Sequence, residues 1–139
     1  MKKISFLFVF AVIASLVFSG CDKYDEGPTI TFKSNVSRIT GTWTPTKQTR
    51  NGIADTYTFS SLVFDKSGVL TVTRSVGSVS ASATGTWAFG SDDEIVVFTY
   101  SILFLSYNDK YTIKRLSSSQ MYLEYQSGSD LYRYEFEKK

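Results

Sequence analysis

The 139-residue chain has no histidine, one cysteine and two prolines, and these shortages remove much of the chemistry a protein of this size can carry. Without an imidazole there is no Ser-His-Asp triad, no His-Glu-x-x-His zinc helix and no histidine-bearing metal site. A lone cysteine, Cys21, forms no disulfide within the chain and no thiolate cluster. Carboxylates crowd in SDDE at residues 91–94, but Ser and Asp there suit a turn, bonding to the local backbone, and the twelve-residue ligand spacing of an EF-hand is missing. No enzyme, metal or cofactor is expected from this inventory.

The first twenty residues are a targeting segment. Lys2 and Lys3 precede an apolar run that begins at Ile4, ends at Phe18 and is followed by Ser19 and Gly20, the pattern of a secretory signal. The run has 15 residues, short of the roughly 20 that a membrane-spanning helix needs. Cys21 stands where the signal would be cut, and the Ser-Gly-Cys sequence resembles the lipobox of bacterial lipoproteins. That resemblance implies a lipid on Cys21, a membrane partner through it, and a place in the cell envelope at the outer membrane or on the cell surface. Without Lys2 and Lys3 the fifteen basic residues become thirteen, equal to the thirteen acidic ones. A balanced chain with no basic cluster has no footprint for nucleic acid. Asp22, Asp25 and Glu26 make the stretch after Cys21 acidic, which suits either a solvated spacer or the surface-export signal that such stretches resemble in Gram-negative lipoproteins.

From Ile30 onward, Thr, Val, Tyr and Phe alternate between turn signals, with no helical period. Turns are expected at residues 50–55, 65–68, 75–78, 90–93, 107–109, 117–120 and 127–130. Seven turns make eight strands, a number at which an up-and-down antiparallel sheet closes into a barrel. The expected layout is a signal peptide over 1–20, an acidic tether and lead-in over 21–38, and an all-β barrel over 39–139. Residues 30–37 suit an extra strand or a plug.

Side chains alternate between the faces of a strand, so parity names the barrel interior. It places Trp43, Pro45 and Lys47 inside on the first strand, and Tyr57 and Phe59 on the second, shifting to Leu62 and Phe64 through a bulge near Ser60 and Ser61. Arg74 falls inside on the third strand and Ala81, Ala83, Gly85 and Trp87 on the fourth. Phe98, Tyr100 and Phe104 lie inside on the fifth, then Tyr111 and Arg115, Tyr125, and Tyr132 and Tyr134. Because consecutive strands reverse direction, Trp43, Trp87 and Arg115 share one end, where stacked indoles and a guanidinium form a plug. The Gly-Thr-Trp that holds each indole leaves room for close backbone approach. Lys47, Tyr57, Arg74, Phe98, Tyr111, Tyr125, Tyr132 and Tyr134 gather toward the other end as the ligand-binding set, with the two cations suited to an anionic head group.

The Gly-x-Trp at the start of the first strand, the meander and the final LYRYEFEKK resemble the lipocalin-like domains of small Gram-negative lipoproteins. That resemblance implies a barrel closed at one end by Trp and Arg. Two functions stay open: a barrel that binds a small hydrophobic or amphipathic molecule, or a packed barrel that serves as a structural or protein-interaction lipoprotein. The stretch EIVVFTYSILFLS, starting at Glu94 and finishing at Ser106, is apolar on both faces; Ile30 and Phe32 of the lead-in, an envelope protein partner or a second copy of the chain would cover its outer side.

Overall fold

Strands with one apolar face must turn that face away from water, and a meander of eight can do so by closing on itself. The computed structural model, which describes residues 23–27 and 33–139, has this form. In chain order it contains helix α1 (Asn35–Ile39) and strands β1 (Gly41–Arg50), β2 (Ile53–Ala54), β3 (Tyr57–Phe64), β4 (Val69–Val76) and β5 (Val79–Phe89). A 3-10 turn (Ser91–Asp93) leads to β6 (Ile95–Ile102), β7 (Leu105–Leu116), β8 (Gln120–Ser127) and β9 (Asp130–Lys138). Neighbouring strands pair antiparallel and β1 pairs with β9, so the eight long strands make a closed barrel, while the two-residue β2 folds back on the end of β1. Residues 1–20, Cys21, Ile30 and Phe32 lie outside the described residues, as does the side chain of Tyr57.

Three one-residue bulges decide which side chains face inward. The pairing of β3 with β4 shifts between Phe59 and Ser61, as the sequence predicts, so Phe59, Leu62 and Phe64 are all buried. A second bulge, between Pro45 and Lys47, turns Lys47 to the outside opposite Glu135 and brings Gln48 inward. Gln48 then accepts from the Phe59 amide at 2.7 Å and donates to the Phe59 carbonyl at 2.8 Å, standing in for strand pairing where β1 and β3 diverge. A third, between Ile113 and Arg115, sends Arg115 outward and Leu116 into the core. Lys47 is therefore removed from the mouth and Arg115 from the plug.

Another correction concerns the fifth strand. It ends at Ile102, and the chain reverses through Leu103 and Phe104, with Ile102 pairing Leu105. Residues 107–109 belong to β7 and are not a turn, while Phe104 is fully exposed at the hairpin tip.

The two Gly-Thr-Trp glycines serve different needs. Gly41 has φ +132°, a backbone conformation that side chains disfavour. A Cβ on Gly85 would lie 2.1 Å from the Thr99 carbonyl oxygen, so β5 and β6 touch only because it is absent.

Both indoles sit at the same end. Trp43 is fully buried and donates from Nε1 to the Ile39 carbonyl at 2.7 Å, and Trp87 Nε1 donates to the Asp65 carbonyl at 2.9 Å. Helix α1 supplies the lid, burying Ile39 and Arg38, whose Nη1 donates to the Leu116 carbonyl at 2.6 Å. The cation over Trp43 is Lys138, 5.0 Å from the ring, and not Arg115. Arg115 instead lies 5.6 Å over Tyr122 on the outer surface and donates to the Glu26 carbonyl at 2.6 Å.

Residues 23–27 form a strap across the outside of this end. Tyr24 is buried and its hydroxyl donates to the Asp93 carbonyl at 3.0 Å; burial raises its pKa to about 12. Asp25 pairs with Lys114, and Glu26 meets both terminal nitrogens of Arg133 at 2.7 Å. The acidic stretch is thus bound to the barrel at these positions.

Candidate functional site

At the other end, inward side chains become more polar and less completely packed. A cavity of about 390 Å³ opens there, lined by Arg50, Asp55, Thr56, Arg74, Tyr107, Asp109, Tyr111, Tyr125, Tyr132 and Tyr134. Its size is in the range of small-molecule sites. A shallower recess of about 340 Å³ over the β2 hairpin shares Arg50, Asp55 and Thr56 with it, extending the opening sideways.

Arg74 anchors the floor. Only 8% exposed, its guanidinium lies 4.3 Å from the Phe59 ring centroid, 5.1 Å from Tyr107 and 5.7 Å from Tyr100. Tyr100 and Tyr107 are themselves stacked at 4.9 Å and 11°. Aromatic faces attract a cation and exclude water, so this box holds a charge that the interior would otherwise disfavour. Asp109 supplies the counter-charge, 3.9 Å from the guanidinium, and accepts from the Tyr111 hydroxyl at 3.1 Å. Phe98 packs under Tyr111 at 4.6 Å, in the core beneath the cavity.

The walls carry rings with polar tips. Tyr132 and Tyr134 lie nearly parallel, 10° apart, and Tyr125 closes on Tyr111 and Tyr132. Burial pushes the Tyr111 and Tyr134 hydroxyls above the ordinary value of 10.0, so they remain O–H groups that donate and accept. Arg50 lies 5.7 Å over the Tyr132 ring at the rim and is paired with Asp130. Two arginines and two aspartates make the formal charge of the lining zero. A cleft for a simple anion would carry excess positive charge; this one presents both signs beside apolar ring faces. Among the described residues, no group of three His, Cys, Asp or Glu side chains could hold a metal ion.

Of the residues expected at this end, Arg74, Tyr111, Tyr125, Tyr132 and Tyr134 come together, Phe98 lies below, and Lys47 is outside the barrel. Arg50, Asp55, Thr56, Tyr107 and Asp109 were not foreseen as lining. Tyr107 and Asp109 share the parity of Tyr111, so a turn placed at Leu103 and Phe104 would have revealed them. Arg50 is hidden by the bulge after Pro45, which reverses the parity of the rest of β1. The sequence matches no protein-family model and no curated protein, so function is read from the unlike chemistry of the barrel's two ends.

Proposed function

We infer that this chain is a lipid-anchored envelope protein whose barrel holds one compact amphipathic molecule at its open end. The observation that carries the reading is the tyrosine-lined cavity above the Arg74–Asp109 pair, in a barrel whose other end is filled. Tyrosine rings favour a flat apolar face on the ligand, and hydroxyls with charges of both signs favour a polar edge that donates as well as accepts. A long alkyl chain fits less well, since the cavity floor is polar at Arg74 and Asp109 and the space below is occupied by Phe98 and Phe59. The lipid on Cys21 is supported by the signal pattern and by the absence of another cysteine. The alternative, a packed scaffold, suits the closed half but leaves the cavity without a role.

Calorimetric titration of the mature protein with small amphipathic ring compounds tests the binding. Arg74→Gln should weaken a bound compound by about 1–3 kcal/mol, the scale of a charge-assisted hydrogen bond, whereas Lys47→Ala should leave its affinity unchanged. No saturable binding of any such compound would favour the scaffold. Fatty-acid label carried by the wild-type chain and absent from Cys21→Ser tests the anchor.

A further inference from the structure

The barrel wall has two unlike sides. Residues 75–91 and 95–108 contain no Asp, Glu, Lys or Arg, and they supply most of β5, β6 and the first part of β7. The outer face there carries Thr84, Thr86, Val97, Thr99 and Asn108 and the ladders Thr73–Ser82 and Ser75–Ser80, with Lys110, opposite Val97, as the charge at its edge. By contrast, the outer face of β8, β9 and β1 carries Glu124, Arg133, Glu135, Glu137 and Lys47.

At the open end of the uncharged side, the hairpins finish in apolar tips. Leu103 is 72% exposed, Phe104 106% and Leu105 59%, and Val76 and Val79 are exposed at the tip of the β4–β5 hairpin, at the same end of the barrel. Leu103 and Phe104 have φ of +49° and +67°, the left-handed conformation that two-residue hairpins normally assign to Asn-Gly. A bulky pair in that conformation, held out in water, opposes folding stability twice over, which marks it for a role outside the fold.

The strap limits where a lipid on Cys21 could emerge. It runs from Glu26, on Arg133 of β9, across β7, where the Glu26 amide donates to the Lys114 carbonyl, to Lys23, paired at 3.3 Å with Asp93 in the β5–β6 turn. Cys21 is two residues beyond Lys23, within about 7 Å of it along the chain. Its lipid would therefore emerge at the foot of the uncharged wall, and the apolar tips stand at the top of it, about 26 Å away along the eight residues of β6.

We propose that the mature protein lies side-on against the bilayer that carries its anchor, with the uncharged wall at the headgroups and Leu103 and Phe104 inserted. This rests on the anchor reading above. A wall without charges loses little hydration on approaching lipid, hydroxyls and peptide groups suit the interfacial zone, and protruding apolar tips enter the acyl boundary. The orientation brings one edge of the cavity mouth to the membrane surface, so an amphipathic ligand dissolved in lipid reaches the site without crossing water.

With Cys21 acylated, a thiol introduced by Phe104→Cys, Thr84→Cys or Ser129→Cys is the only one free for an environment-sensitive fluorophore. Ser129 tips the β8–β9 hairpin at the same end but on the charged side. In vesicles of phosphatidylethanolamine and phosphatidylglycerol, labels at 104 and 84 should be quenched several-fold less by iodide than in lipid-free detergent, and 104 should be quenched by doxyl lipid. The label at 129 should stay open to iodide. Equal exposure at all three positions would overturn the proposal, with the mass of the acylated N-terminus in the same sample showing that the anchor itself stands. Protection of 104 that persists without lipid would mean that a second copy or a protein covers the tip, and an unacylated Cys21 would remove the geometry altogether. Amide exchange of the unsubstituted protein gives the same decision should a labelled variant misfold: the β6–β7 hairpin must slow on vesicles.

Discussion

The closed and open ends of this barrel are made by the same strands with the same alternation, yet they differ in what the inward positions hold. At the closed end Trp43, Leu62, Leu116, Met121 and Phe136 are fully buried, and each indole N–H meets a backbone carbonyl. At the open end tyrosines, two arginines and Asp109 on the strands, with Asp55 from the β2–β3 connection, surround space. Alternation decides which side chains face in; the chemistry at each level decides whether the interior is core or site. Stability should reside at the first end and binding at the second.

The largest effects that would break this division are on folding. Trp43→Ala should cost about 3–5 kcal/mol, read from the urea midpoint, because a fully buried indole leaves a cavity under the helix lid. Tyr125→Ala, at a half-buried position of the mouth, should cost about 1 kcal/mol while reducing ligand binding. Equal costs would mean that the mouth is core as well. Gly85→Ala comes next, at about 1–3 kcal/mol, since the new methyl meets backbone carbonyl oxygen and the strands must part.

A smaller effect sharpens the role of the strap. Hydrogen bonds from Arg133 hold the Glu26 carboxyl below its ordinary value of 4.5. Its stabilisation is then complete above that value and is lost as the pH falls from it through the lowered folded value. The pair is partly exposed, so Glu26→Gln should cost less than about 1 kcal/mol at pH 7, and the difference from wild type should vanish in acid. A difference that persists in acid would mean that the strap is held by something other than this charge.

Much of the barrel was legible in the sequence because burial enforces alternation. Leu70, Val72 and Arg74 alternate cleanly, and YTFSSLVF displays its own bulge, since the apolar set changes parity at the two serines. The spacing of Ile113 and Leu116 carried the same signal for the bulge before Arg115, but a guanidinium near two indoles is an equally plausible pattern until the register is known. The bulge after Pro45 had no signal, because TKQTR is polar on both faces. The turn at Leu103 and Phe104 was hidden for another reason. Those residues contradict turn chemistry, whereas Asn108 and Asp109 satisfy it, so local preference pointed to the wrong place. Both misplaced features bear on the mouth, which is why half of its lining was missed; at the closed end the two indoles do share one end, but the cation is Lys138 and the lid is the helix over Asn35–Ile39, a five-residue segment too short to announce itself by period.

The two tryptophans at the closed end give the division of labour an internal control. In an amide-resolved NMR titration with anilinonaphthalene sulfonate, a compact aromatic amphipath, one saturable site should shift the amides of Tyr107, Asp109, Tyr111, Tyr125 and Tyr132. The Trp43 and Trp87 indole N–H signals should stay in place. Shifts confined to the indoles, or no saturable shift anywhere, would contradict the assignment of the open end as the binding site.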